Sequence, residues 1–468
     1  MKYRNSFLTI IVGSGILLAS CEKTDFLEIK PENNVITNDA IKKPEDLQKL
    51  MISAYNQVRS AGFMGGTAHV AGDVLADDAV TTNSTFDWTQ IVAHSMDLFN
   101  PPGRNIWNNT YNAINRANVA SASALADGIL QNAPPEVANT LKADAAYIRA
   151  LGHFHLVRFF GLPYSDQTKN IAEMGIPIRT RGTTTIAESF EALPRSTVEE
   201  VYTQVINDLK FASANLPAER TWNGGYATRD AAKALLAKVY FFKGDMANAV
   251  AEARPVMNSN KYSLDANIAA KYSRAQLGTT TSEVIFMIPS TAASDDSWGS
   301  IRGSYRSNNA ASPIPQWAPS GSLVSAYSPT DLRYTKFYIK KNNIVYTTKF
   351  DYTYMDAIVT GFDELLLIYT EALAASNNAA DLTEAVLWLN KIETRAYGTA
   401  RTAVSAGQNS ILDAVRKERR LELALRGERL HELKRLKQTV RGDTWDSPKT
   451  LFQIPDDEQN GNPGIKLN

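Results

Sequence analysis

The chain has 468 residues, 44% of them hydrophobic, and its 49 Lys and Arg are balanced by 49 Asp and Glu. That balance supplies no global field for nucleic acid or an anionic surface, and the length allows one large domain or several. A single cysteine excludes an internal disulfide and is too few for a structural zinc or iron–sulfur site.

The residues before that cysteine explain it. Lys2 and Arg4 make a short basic start, and Phe7–Leu18 (FLTIIVGSGILL) is an uncharged apolar run. Its length suits the h-region of a signal peptide and falls short of the roughly 20 residues a helix needs to span a bilayer. Leu18-Ala19-Ser20-Cys21 is similar to a bacterial lipobox, in which the cysteine is lipidated and becomes the new N-terminus. An ordinary secretory signal cleaved near Ser20 is the alternative. Several acyl chains on Cys21 would hold the protein stably on a membrane. Residues 1–20 are therefore read as a lipoprotein signal peptide and 21–45 as a lipidated tether.

Further along, Val198, Val201, Val205, Ile206 and Leu209 recur at three- and four-residue steps and form one helical stripe. Thr197 and Glu200 make a capping-box pattern at its start, with Pro217 beyond its end. The stretch RDAAKALLAKVYFFKGDMANAVAEARPVM predicts a helix over about 230–242, a break at Lys243-Gly244-Asp245, and a second helix ended by Pro255. Ala234, Ala237, Ala249 and Ala253 let two antiparallel helices approach closely, an order similar to a tetratricopeptide (TPR) hairpin. Asp363–Ala375 and Leu382–Arg395 form a comparable pair, and single helices are expected over 106–127 and 135–161. Residues 258–362 differ in texture, being rich in Ser, Thr, Asn, Gly, Pro and aromatics, with short strands expected at Val284–Ile288 and Ile344–Thr348. The mature chain thus divides into a helical region 46–257, a loop-rich ligand-face region 258–362, and a C-terminal helical region 363–468.

Catalytic patterns are sparse. His153 and His155 are two apart, which on a helix points them in different directions, and His431-Glu432 lacks a second histidine four residues on. Asp73, Asp77 and Asp78 are the best acidic cluster. Two of them could form a glycosidase pair, but capping of local backbone or calcium ligation is the commoner use. No cofactor is expected beyond such a structural calcium. The densest charge, Arg416–Gln438, interleaves cations with Glu418, Glu422, Glu428 and Glu432. Glu422 with Arg426 and Glu432 with Arg435 stand at pairing distances on a helix, and Gly427 permits a helix end. A paired-charge structural segment follows, rather than a nucleic-acid surface.

The lipobox followed by DFLEIKPEN resembles the SusD/RagB family of Bacteroidetes outer-membrane nutrient-binding lipoproteins. So do YNAINRAN (111–118), ADAAYIRALGHFHLVRFFG (143–161), PYSD (163–166), GIPI (175–178), ATRDAAKALLAKVYFFKGD (227–245), DELLLIYTEALA, RKERRLELALRGERLHELKR and LFQIPDDEQNGNPG, in that order. One departure is Arg426, where many members carry an acidic residue before the glycine. The resemblance implies a mainly α fold, with TPR-like helical hairpins supporting a loop-rich face with a few short strands (a SusD-like α-α superhelix). It also implies a surface-exposed outer-membrane lipoprotein that binds a nutrient, in the first place a glycan or oligosaccharide. Such a protein passes its cargo unaltered to a SusC-like TonB-dependent transporter. Glu22 and Asp25 look like part of the surface-export signal.

Sugar rings present C–H faces that flat aromatic rings cover, and removing about 100 Å² of apolar surface is worth roughly 2.5 kcal/mol. Such rings should lie partly exposed on loops. Two stretches qualify. The first offers Asn83, Phe86, Asp87 and Trp88; the second offers Asp296, Trp298, Arg302, Tyr305, Arg306, Asn308 and Trp317. Trp88 and Trp298 are the preferred rings. Phe63 and Met64 are further candidates for the same pocket, whereas Trp388 and Tyr369 sit on helical stripes and are expected in the core. Peptide capture, a lipid-anchored hydrolase using Asp77 and Asp78, and a plain protein-assembly scaffold are the competing readings.

Overall fold

In the computed structural model, the residues described are 41–468, apart from 83–84, 221–224, 273–280, 291–299, 308–314, 353–354 and 404. The leader, the tether with Cys21, and Asn83, Asp296, Trp298 and Asn308 lie outside the described residues. The chain opens with α1 (Pro44–Val58), α2 (Thr67–Leu75), α3 (Phe86–Val92), α4 (Pro101–Ser121), α5 (Ala124–Leu130), α6 (Pro135–Phe160) and α7 (Val198–Asn215). The hairpin α8 (Arg229–Lys243) and α9 (Met246–Met257) follows, then a short α10 (Ile301–Tyr305). The chain closes through α11 (Phe362–Ala375), α12 (Ala379–Tyr397), α13 (Gln408–Glu422) and α14 (Arg429–Arg435). α1 packs on α4, α4 on α6, α6 on α7, α7 on α8, α8 on α9, α9 on α11, and α11 on α12 and α13, so Lys43–Asn468 is one helical array.

Local chemistry sets the ends of these helices. Thr197 Oγ1 accepts the Glu200 N–H at 3.2 Å and Glu200 Oε2 accepts the Thr197 N–H at 2.7 Å, the capping box expected from the sequence. α8 stops at Gly244, whose φ of +84° is the left-handed conformation open to glycine. Two expectations are corrected. α9 runs through Pro255 to Met257, because the Asn258 N–H bonds across the proline to the Arg254 carbonyl at 3.0 Å. The helix expected over 106–127 is two helices, since Ser123 accepts the Ala126 N–H and starts α5 anew.

The strands form three two-stranded antiparallel sheets among the described residues. β1 (Ala79–Thr81) pairs with β3 (Trp317–Pro319), β2 (Val284–Ile288) with β6 (Ala357–Gly361), and β4 (Tyr338–Lys341) with β5 (Ile344–Thr347). All five β2 residues are buried, and Phe286 meets Tyr55 of α1 at 6.1 Å and Tyr147 of α6 at 5.5 Å. The apolar run is therefore a strand sealed on both faces.

The charge-dense segment is structural. Glu432 and Arg435 pair at 2.8 Å as expected. Glu422 and Arg426 do not, because α13 ends at Glu422 and the turn carries Arg426 to Asp363 at 2.8 Å. Glu422 instead meets Arg395 at 2.7 Å and Lys271 at 3.4 Å. The same segment reaches back to the start of the chain: Arg420 pairs with Asp78 at 2.6 Å and Arg429 with Asp77 at 2.7 Å. The C-terminal residues also close on the early helices. The Phe452 N–H donates to the Phe159 carbonyl, Arg104 pairs with Asp456 at 2.5 Å, and Trp107 Nε1 donates to Glu458 at 3.2 Å.

Candidate functional site

The loop face grows from the end of α2. The turn after it carries Asp77 and Asp78 into β1, whose pairing with β3 brings Thr81 opposite Trp317. α3 then lays Trp88 against Trp317, with ring centroids 5.2 Å apart at 65°. This pair is buried: Trp88 is 7% exposed and Trp317 fully covered. Tyr305 is also fully buried, its hydroxyl 3.2 Å from Asp73, and Arg306 is buried too. The expectation that Trp88, Tyr305, Arg306 and Trp317 are open to a ligand is therefore corrected. Trp88, Tyr305 and Trp317 each have a packing partner far away in sequence, and the polar loop residues around them gave no sign of one. These rings are the floor of the face.

What the face presents is different. Phe86, two residues before the buried Trp88 and so turned away from it on the helix, is 76% exposed, and Asp87 is half-buried beside it. Phe99 is 60% exposed. Asn100 Nδ2 donates to the Asp87 carbonyl and to Gln90 Oε1, both at 2.9 Å, which ties the turn bearing Phe99 to the start of α3. Phe86 and Phe99 thus belong to one local surface. Sequence reasoning missed Phe99; its setting in Asp-Leu-Phe-Asn-Pro-Pro, before a proline-started helix, was the available signal.

Arg302 and Met64 come together as expected, lining a cleft with Arg59, Tyr272, Phe350 and Asp356. Its interior amounts to about 40 Å³, room for a few waters at roughly 10–15 Å³ each and too little for a sugar ring. Phe63 is fully buried against His155 and does not reach the cleft. Tyr369 is core, as expected, but Trp388 is only half-buried and lines a groove elsewhere.

The acidic cluster is committed to structure. Asp73 accepts the Gly427 N–H at 3.1 Å and the Tyr305 hydroxyl, and burial, then the neighbouring Asp78 charge, pushes its carboxyl well up. Asp77 and Asp78 face Arg429 and Arg420. A second carboxylate cluster, Glu283, Asp363 and Glu422, has oxygens within 4.8 Å of one another. Lys271 Nζ sits among them, at 2.7, 2.5 and 3.4 Å, so a cation of the chain itself takes the place a metal would have.

The class so defined is a helical-repeat scaffold carrying an aromatic surface patch, with its acidic clusters neutralised from within. Comparison with known proteins narrows this. A family described as "Starch-binding associating with outer membrane" matches residues 25–241, and one described as "SusD family" matches residues 265–466. The chain belongs to the SusD/RagB family. It is 25% identical to "SusD-like protein P2" of Formosa agariphila, over all of this chain and 97% of that one. A SusD superfamily protein from Bacteroides thetaiotaomicron has the same fold, with a TM-score of 0.79 at 22% identity, covering 91% of this chain and 100% of that one. A "Laminarin binding SusD-like protein" has a TM-score of 0.73 at 21% identity, covering 92% and 99%. No helix of the described residues is long and apolar enough to cross a membrane.

Proposed function

We propose that this protein captures a glycan or oligosaccharide at the outer surface of the cell, anchored by lipid on Cys21, and delivers it unaltered to a SusC-like TonB-dependent transporter. The observation that carries the reading is the tandem match of a starch-binding, outer-membrane-associating family and the SusD family along nearly the whole chain. The laminarin-binding protein among the structural relatives supports the ligand class. On this chain the contacts fall to Phe86, with Phe99 and Asp87 beside it and Arg302 at the neighbouring cleft. Asn83, Asp296 and Trp298, outside the described residues, stay candidates from the sequence alone. Covering one phenyl face removes on the order of 50 Å² from water, about 1.2 kcal/mol, or close to tenfold in affinity.

Affinity electrophoresis on a panel of polysaccharides, with analysis of released sugars, tests this. Retardation without new reducing ends is expected, and Phe86→Ala should weaken it by about threefold to tenfold. Retardation by no polysaccharide would point to peptide capture or a scaffold, and release of sugar that stops on Asp77→Ala would make the protein a hydrolase.

A further inference from the structure

A groove between α9, α11 and α12 stands apart from the loop face. It encloses about 810 Å³, within the roughly 300–1,000 Å³ range of small-molecule sites and far roomier than the Arg302 cleft. Its wall is aromatic. Trp388 meets Phe362 edge-on at 6.3 Å and 72°, and Tyr262 lies nearly parallel to Phe362 at 6.5 Å and 24°. Trp388 also meets buried Tyr369 at 6.4 Å and 79°, so its indole is held at a fixed angle while remaining half-exposed. Leu387, 56% exposed, forms the rim.

One polar group beside the indole has no anionic partner. Lys391 Nζ rests 3.5 Å from the centroid of the Trp388 ring, and among the described residues no carboxylate pairs with it. Arg395, also in the groove wall, is by contrast locked between Glu283 at 2.6 Å and Glu422 at 2.7 Å. Asn390 donates to the Thr402 carbonyl at 3.1 Å, and its Oδ1 is sealed from the surface, so neither end of its amide is offered to the groove.

We propose that this groove is a second saccharide site, in which Trp388 covers the C–H face of a sugar ring and Lys391 binds its hydroxyls. The proposal rests on the glycan-binding reading above. Lys391 now holds the indole face through a cation–π contact and has no anion to keep it there. A sugar ring takes that face, and the displaced ammonium then stands beside the ring as a donor. A flat indole with a donor beside it suits a sugar, which is apolar on its faces and polar on its edge. A protein helix would need a continuous apolar strip, and Leu387 alone does not provide one.

A glycan array probed with wild type, Trp388→Ala, Leu387→Arg and Phe86→Ala tests the site, each variant first shown to be folded by circular dichroism. Trp388→Ala removes core contacts as well as the platform; Leu387→Arg blocks the groove from an exposed position. At least a fivefold loss of signal in both, for glycans the wild type binds, is expected. Unchanged signal in both variants, or loss in Trp388→Ala alone, would overturn the second site. If only Phe86→Ala loses binding, the second site falls and the main reading stands. No signal from wild type on any glycan removes both.

Discussion

Burial makes single histidines in this protein sensitive to acid. His153 is fully buried, and its Nε2 accepts the Arg179 N–H at 3.3 Å, which requires the neutral ring. Desolvation first, then the Arg149 charge, hold it down at about 3; desolvation likewise holds His69 at about 4. The unfolded chain takes up these protons near pH 6.5 and the folded chain does not, so stability falls as pH drops from 6.5 toward the folded values. Each histidine contributes about 1.4 kcal/mol per pH unit in that window. Glu422 and Asp363 act in a lower one. Burial opposes their charge, but Arg395 and Lys271 at Glu422, and Lys271 and Arg426 at Asp363, keep both below the usual range. Their contribution is present above about pH 4.5 and is lost below it. Urea midpoints measured at pH 7, 6 and 5 should therefore decline, against the opposing effect of Asp73, whose raised carboxyl takes up its proton first in the folded chain. His153→Gln should have a shallower decline, and an identical slope in that variant would count against the assignment.

At the scale of elements, the turn between α13 and α14 is fixed by a close approach to α2. A methyl added at Gly72 would lie 2.1 Å from the Gly427 carbonyl oxygen, and Gly427 itself has φ +77°. Neither backbone can retreat without moving a helix. Gly72→Ala should lower stability by about 3 kcal/mol or more, on the order of severe overpacking. Gly244→Ala, at φ +84° with nothing within 4 Å, should lose only about 1–2 kcal/mol to left-handed strain. Equal midpoints for the two variants in urea would refute the distinction. Features written within a few residues were legible in sequence: the Thr197–Glu200 box, the stop at Gly244, the buried run of β2. Features that need a distant partner were not. Trp88 reads as an exposed loop ring until Trp317 is placed on it, and Arg426 reads as a partner of Glu422 until α13 is seen to end. The candidate site suffered most, because exposure is decided by what packs from elsewhere.

At the scale of the whole molecule, the proposed lipid anchor sets where the protein is, not whether it binds. Cys21→Ala should move the protein from the membrane fraction to the soluble one and abolish incorporation of labelled palmitate, while leaving glycan affinity within about twofold, since the array Lys43–Asn468 is one unit by itself. Membrane retention and labelling in that variant would refute the anchor.

The meeting of early and late segments has a kinetic consequence. Asp77 and Asp78 leave α2 long before Arg429 and Arg420 are made, and α4 waits as long for Asp456 and Glu458. Contacts of such long sequence separation form slowly and late. A polypeptide threaded through a narrow conduit, amino end leading, thus stays unlatched and pliable until its tail emerges. Were this chain exported so, the clasp would shut only on the far side.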